Sequence, residues 1–424
     1  MSNRWLIFAV AAALALGVGV SHAAVLAICL ALAVLPALAF RQASRAHAYA
    51  VVSAYYLGAL WPLAVGARNF FGSQASLVSA VLLWVVCALL LATPYSLLWS
   101  GSREQWVWRV PAALLLGALP PLGLIGFAWP GTALGLLFPG AGFFGLLGWL
   151  LISGINARHP VTIGFVLFWA VAANLLYLKP AAPAGWVAVD THFGAIAHGT
   201  VAPLVEYNTV EAIAGEASRT PGAVVIFPES VVPRWTRATD ALWQSAIEDW
   251  RRQGKTVVVG ALIPLAMSPS AGEELREAVM LLRKDVPSDP TIPEFRRAAA
   301  SLPVVMPYGL RNVAMIRGAQ TGSFEQRVPV PFALWHPFSA GGARLNAFGL
   351  GVVPIAGERA AILICYEQVI PWTVLTAAFE SPTVFVGISN DHWAMDTPMA
   401  KWQELCLRAW SRLFGRPYVL AVNT

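Results

Sequence analysis

Apolar residues are divided so unevenly along this chain that its two parts cannot share one solvent. From Trp5 to Leu178 the sequence is a succession of apolar stretches of about 17–22 residues, the length that crosses a bilayer core. After Lys179 the composition becomes that of a globular domain of about 245 residues, long enough for a full core. The 424-residue chain is 58% hydrophobic and 12% charged, with mean hydropathy +0.64, and the apolar excess lies before Lys179. The expectation is an all-α transmembrane bundle over 1–180 and a separate domain over 185–424.

Seven spans are predicted: Trp5–Val20, Ala23–Phe40, Ala48–Val65, Leu77–Leu98, Val110–Phe127, Ala133–Ile152 and Val161–Leu178. As one helix, Trp5–Phe40 would be about 54 Å long, too long for one crossing. Ser21-His22 offers a break, so a tight hairpin is the better reading. Its rival is a cleaved signal peptide, with Arg4 in the n-region and Ser-His-Ala-Ala as cleavage site. With the amino terminus inside, Arg4, Arg41, Arg45, Arg103, Arg109 and Arg158 fall on the cytoplasmic side and Arg68 outside. Seven crossings then put the domain across the membrane, in the periplasm if the cell is Gram-negative. A bacterial inner-membrane location and the lipid bilayer as partner follow.

The formal charge of +6 is partly these loop arginines. No basic run with interleaved aromatics suggests direct contact with nucleic acid. Of four cysteines, Cys29 and Cys87 lie in apolar spans, whereas Cys365 and Cys406 lie in the domain, where oxidation could join them. No CxxC or paired-histidine spacing suggests a metal, and no cofactor is expected.

Strand-like and helical runs alternate from Gly185, which argues for a layered α/β fold. Strands are expected at Val187–Val189, Ala223–Phe227, Thr256–Ile263, Leu310–Gly318, Gln326–Val330, Ala360–Ile364, Thr383–Ser389 and Tyr418–Val422. Helices are expected at Glu206–Glu216, Thr239–Gln253, Pro371–Phe379 and Pro398–Phe414. The stretch Ser268–Pro307, rich in Pro, Ser, Ala and charge, reads as a lid or an unstructured excursion, with Glu273–Lys284 able to form an amphipathic helix.

Three polar clusters stand where strands stop. Glu229 follows AVVIFP; Cys365, Tyr366 and Glu367 follow AAILI; Asn390, Asp391, His392 and Trp393 follow TVFVGIS. Ligands of α/β sheets bind at the carboxyl ends of strands. A thiol and carboxylates gathered there suit acyl transfer: a carboxylate takes the thiol proton and the sulfur attacks a carbonyl. Each residue also has a plain structural use, as a helix cap, a small buried side chain or a turn former. His392 invites a Cys–His couple, but nothing in the sequence places it beside Cys365.

Taken in this order, the segments resemble the carbon–nitrogen hydrolase (nitrilase) superfamily from about Val187 to Thr424. Membrane bundle first, the whole arrangement resembles apolipoprotein N-acyltransferase. VVIFPES is similar to the general-base segment, ICYE to the nucleophile segment, GISNDHW to a Ser-Asn-Asp-x-Trp segment, and GRPYVLAVNT to the Gly-Arg-Pro…Asn-Thr segment. RNVAMIRG, with Asn312, fits the strand before the lysine segment. The resemblance implies an αββα sandwich with Cys365 as nucleophile, Glu229 as base and Glu367 tuning the site. Tyr366, Asn390 and Trp393 would support substrate. It implies amidase or N-acyltransferase chemistry through a thioester, on a phospholipid or acyl-amide substrate. Length and loop style look most like a plasmid-encoded branch that serves conjugal transfer, which implies other transfer proteins as partners.

Two departures matter. The family's oxyanion lysine is here Gln326, and a glutamate of that segment is Leu334. An amide brings a donor without charge, and losing one good oxyanion donor costs about 3–4 kcal/mol, or about 10²–10³ in rate. Arg327 would point to the other face of a strand, and Lys284 or Arg311 would have to reach in from elsewhere. The family pattern also continues past Asn423-Thr424, so the sandwich is expected to be short on one side and anchored at its amino end. Two expectations stand together: a membrane-embedded thiol enzyme with Gln326 as a weak oxyanion donor, or a catalytically impaired homologue that serves conjugal transfer structurally.

Overall fold

The computed structural model describes residues 24–71, 76–126, 128–159, 162–194, 203–264, 310–331, 334–335 and 343–424. The Trp5–Val20 span with its two readings, the Ser268–Pro307 insertion and Lys284 lie outside these.

Apolar helices fill the first part: α1 (Ala24–Phe40), α2 (Arg45–Leu60), α3 (Pro62–Phe71), α4 (Leu77–Leu98), α5 (Trp106–Ala118), the single turn α6 (Leu134–Leu137), α7 (Gly142–Arg158) and α8 (Thr162–Leu176). Two helical stretches, Arg45–Asn69 and Leu77–Leu98, are long and apolar enough to cross a membrane by length and composition. Across the helices, large apolar residues lie outside as well as inside. Small residues such as Ala27, Ala31, Ala88 and Ala92 face inward, while Leu82, Leu90, Phe144, Phe165, Phe168 and Leu175 are exposed. Contiguous exposed apolar surface on this scale marks contact with something other than water.

The predicted spans Val110–Phe127 and Ala133–Ile152 are corrected. Both are interrupted, because Pro120-Pro121 and Pro139-Gly140 cannot continue a helix. The intervening segment, 119–141, packs against the second part of the chain. Trp129 stacks on Trp410 with ring centroids 6.3 Å apart, and the N–H of Gly140 donates to the Arg412 carbonyl at 2.7 Å. At the opposite end of the bundle, Arg41 donates through Nε to the Ala157 carbonyl at 2.8 Å and through Nη2 to that of Arg158.

The second part is an α/β sandwich. One sheet orders its strands β1 (Trp186–Ala188), β2 (Val224–Ile226), β3 (Thr256–Pro264), β4 (Leu310–Gly318) and β5 (Gly322–Glu325). The other orders β6 (Val352–Ile355), β7 (Glu358–Ile364), β8 (Val384–Asn390) and β9 (Tyr418–Asn423). Strands β1–β3 are mutually parallel, as are β7–β9, while β4, β5 and β6 pair antiparallel with their neighbours. The sheets meet through Val224, Ile226, Val258 and Ile316 on one side and Ile362, Ile364, Val386 and Ile388 on the other. Alternate residues face outward. Those of the first sheet cover α9 (Pro203–Arg219) and α10 (Arg237–Arg252), with Trp243 and Trp250 fully buried. Those of the second cover α11 (Pro371–Phe379) and α12 (Met399–Leu413).

That last layer is not an outer surface. Ala361, Leu363, Phe385, Leu407 and Trp410 belong to one hydrophobic core with Leu35, Tyr55, Leu91 and Trp129 of the bundle. Gly135 shows how close the fit is, since a Cβ there would lie 1.7 Å from the Ala409 carbonyl oxygen.

Most sequence-predicted elements are present with ends moved by one to three residues. The predicted strand Gln326–Val330 is corrected: the hairpin partner of β4 is β5, and residues 326–330 run on beyond it. Strand β6 was not anticipated. Cys365 and Cys406 are both free thiols, so the disulfide does not form.

Candidate active site

Because β2, β3, β7 and β8 share a direction within their sheets, their carboxyl ends open at one end of the sandwich, and β5 delivers Gln326 to the same end. Two backbone distortions aim side chains into it. Cys365 has φ 50° and Ser230 φ 55°, both in the left-handed region where a Cβ is crowded. Strand β7 therefore breaks at the thiol rather than carrying it onward, at a cost of order 1 kcal/mol or more. Under the base, Gly260 of β3 leaves room that no other residue could: a Cβ there would lie 2.3 Å from the Pro228 oxygen and 2.5 Å from the Glu229 Cα.

The Cys365 thiol lies beside the Glu229 carboxyl, close enough for each to act on the other's ionisation. Glu229 is 6% exposed. Its Oε1 accepts from Asn312 Nδ2, and its Oε2 from the backbone N–H of Asn390 at 2.9 Å. Burial pushes the carboxyl up to about 7, the neighbouring Cys365, Asn312 and Asn390 oppose this, and the nearby Asp391 charge adds to it. Burial also holds the Cys365 thiol well above its usual range, reinforced by the charges of Glu229 and Asp391, while the backbone amide of Tyr366 works the other way. The resting pair is thus a neutral thiol on a carboxyl group that titrates near neutrality.

Gln326, 1% exposed, sits beside this pair. Its Nε2 donates to the Ile364 carbonyl at 3.0 Å and its Oε1 accepts from Asn312 Nδ2 at 3.2 Å. One hydrogen of the amide remains for another acceptor. Asn312 bridges base and amide, a role its sequence position did not disclose because it depends on the β3–β4 register, which sets Asn312 opposite Leu262. Arg327 points away, to the Thr373 carbonyl, Thr376 and Glu367. Arg311 pairs with Glu325.

Glu367, expected from the resemblance to tune the site, is held by backbone amides. Its Oε1 accepts from the N–H groups of Arg327 (2.9 Å) and Val328 (3.2 Å), its Oε2 from that of Ile364 (3.0 Å), and Arg327 Nε lies 3.5 Å away. It ties the break after β7 to the Gln326 segment and positions both. Tyr366 donates its hydroxyl to the Leu124 carbonyl at 3.2 Å, and Trp393 lies against Gly66 of α3. The Asn390 side chain accepts from Asn423 Nδ2 at 3.2 Å, so its contribution to the base comes through its backbone. His392 is not among the groups acting on the thiol. Asp391, expected in the third polar cluster but given no role there, is buried, and its carboxyl is raised to about 7 chiefly by that burial. No group of three His, Cys, Asp or Glu side chains among the described residues could hold a metal ion.

Fold and site together define a layered α/β domain that carries a thiol–carboxylate pair at its strand ends and shares a core with a bundle of apolar helices. The chain is similar to the conjugal transfer protein TraB of Agrobacterium fabrum strain C58, 29% identical over 416 residues, which cover 92% of this chain and 86% of that protein. It is likewise 29% identical over 402 residues to the probable conjugal transfer protein TraB of Sinorhizobium fredii strain NGR234, covering 92% and 91%. Solved structures with likeness include a mutant amidase of the nitrilase superfamily from Nesterenkonia AN1, at TM-score 0.36 and 11% identity over 58% of this chain and 79% of that one. Another is a carbon–nitrogen hydrolase from Helicobacter pylori G27, at TM-score 0.34 and 10% identity over 57% and 73%. No family model matches the chain.

Proposed function

We propose that this chain is a multi-span inner-membrane protein of plasmid conjugal transfer whose periplasmic domain performs acyl transfer or amide hydrolysis at Cys365. The carrying observation is the thiol of Cys365 set beside the buried Glu229 carboxyl, which Asn312 links to Gln326. In this reading Glu229 takes the thiol proton as sulfur attacks an acyl carbonyl. The oxyanion meets the backbone N–H of Tyr366 and the free hydrogen of the Gln326 amide. Collapse expels an amine or alcohol, which takes the proton from Glu229 and leaves a thioester. Water or an amine then attacks the thioester with Glu229 again as base.

A lipid acyl donor is favoured by the contacts of the site with the bundle end, through Tyr366 on Leu124 and through Asn69 Nδ2, which donates to the Trp393 and Met395 carbonyls. The conjugal role rests on the names of the two relatives. The test is a thiol-reactive lipid-ester probe on the full chain in nanodiscs. Wild type is labelled and Cys365→Ala is not; equal labelling of the two sinks the chemistry.

One observation favours a second reading, a structural component of transfer without catalysis. The Gln326 amide already donates to Ile364, and the charges acting on the thiol are anionic. Plasmid transfer at wild-type frequency by Cys365→Ala and Glu229→Gln would select it.

A further inference from the structure

Beside the thiol–carboxylate pair lies a second, half-open space whose walls carry several polar groups. A cavity of about 160 Å³ lies between α12 and the ends of β8 and β9, lined by Gln368, Ser389, Asp391, Lys401, Gln403 and Glu404 among others. That is ample for several water-sized groups. Three polar atoms of its walls are buried without a hydrogen-bond partner: Gln368 Oε1, Asp391 Oδ1 and Gln403 Nε2. Gln368 is fully buried, Gln403 is 2% exposed and Asp391 6%. Orphaned polar atoms at this depth each cost about 1–3 kcal/mol unless something answers them.

Their chemistry selects what that is. Two of the three are acceptors, one of them a carboxylate, and a half-turn of the Gln403 amide turns the third into another. Ser389 lies beside Asp391 and brings a hydroxyl with lone pairs of its own. An anionic ligand would add like charge beside Asp391, whose neighbour Asp190 is also acidic. A metal ion would want more carboxylates than the cavity offers. A group with several N–H donors and one positive charge satisfies the walls.

We propose that this cavity binds a small ammonium group, either free ammonium or the head of a primary alkylamine, against Asp391. Such a ligand supplies the positive charge that the Gln326 site lacks. Asp391 acts on both Glu229 and Cys365 through its charge, so neutralising it makes the thiol easier to ionise. The groups that face this exchange are Glu229, Cys365, Asp190, Glu404 and Lys401, the last exposed on α12. The inference rests on the thiol–carboxylate pairing of the proposed function and not on turnover.

The experiment measures alkylation of Cys365 by iodoacetamide, read on its own peptide by mass spectrometry. It uses the full chain in nanodiscs at pH 7, in equal concentrations of sodium, ammonium, ethylammonium or tetramethylammonium chloride. Ammonium and ethylammonium are expected to speed alkylation, about tenfold for each unit by which the thiol falls. Tetramethylammonium, which cannot donate, is expected to match sodium. Saturation at lower concentration identifies which of the two ammonium sources fits better. Asp391→Asn is expected to abolish the response; should it not fold, Gln403→Leu serves in its place. Equal rates in sodium and ammonium overturn the proposal, as does a response that survives Asp391→Asn. A response that appears only in Lys401→Met overturns it too, because the lysine's own ammonium then fills the space. Lipid-ester labelling without an ammonium response sinks the cavity alone. An ammonium response without labelling sinks the acyl-transfer reading alone.

Discussion

Glu229 and Asp391 each sit near pH 7 for the same reason, removal from water, starting from 4.5 and 3.8. For Glu229 as base the useful form is the carboxylate, so lipid-ester labelling of Cys365 is expected to rise with pH and level off above about 7. Its pH profile on the wild-type chain checks this. Stability runs the other way. A carboxyl raised in the folded state binds protons more tightly there than in the unfolded chain. Its contribution is present below about 4.5 and lost as pH climbs through about 7, worth roughly 3 kcal/mol for Glu229. The urea midpoint is expected to be higher at pH 5 than at pH 8, and Glu229→Gln to flatten that slope. Gln326→Lys places an ammonium between Asn312 and the Ile364 carbonyl, beside a carboxylate that lacks a cation. Faster iodoacetamide alkylation of Cys365 at pH 7, by about tenfold or more, is the expected result. Cys365 and Glu229 stand out because each ends a strand-like apolar run, whereas Gln326 stands out only through the resemblance of its segment. The roles of Asn312 and Asp391 were not legible, since one depends on the register of an antiparallel pair and the other on depth.

Among the elements, β3 does more for the site than its own sequence suggests. Its Gly260 has no polar atom to offer, yet a Cβ there would strike Pro228, Glu229 and Ser230 at once. Gly260→Ala is expected to displace the base and sharply reduce lipid-ester labelling while the far-ultraviolet circular dichroism of the sandwich persists. The alternation of strands and helices was readable because period-2 and period-3.6 patterns separate cleanly in a water-exposed domain. The segment 119–141 was not. Apolar composition is the same for a residue that faces lipid and one that faces protein, so a docking segment read as parts of two spans. Only the proline and glycine punctuation distinguished them. Strand β6 escaped because four residues between a glycine-rich stretch and a turn carry too little periodicity.

At the scale of the molecule, the proposed topology can be set beside the tertiary contacts. Arg41 joins the α1–α2 turn to the end of α7, and Arg109 donates to the Leu98 carbonyl, so the arginine-bearing turns cluster at one end. The end of α3 and the 119–141 segment, which the charge bias assigns to the other side, touch the domain, as does Asn174 of α8 through Arg412. A phosphatase fused after Thr424 is expected to be active outside the cytoplasm and one fused within the Gly101–Ser102 turn inactive; the reverse pattern would invert the proposed topology. The shared core of α12 and the bundle has a further meaning. Trp402, Leu405 and Trp410 lie buried in the core that the domain shares with the bundle helices. Cut at residue 185, the domain would meet water with its greasiest face, and the cysteine would lose the floor on which Tyr366 stands. The helices are therefore a wall of the candidate site, and under the proposed function a lipid bound to them would already stand at the thiol's side.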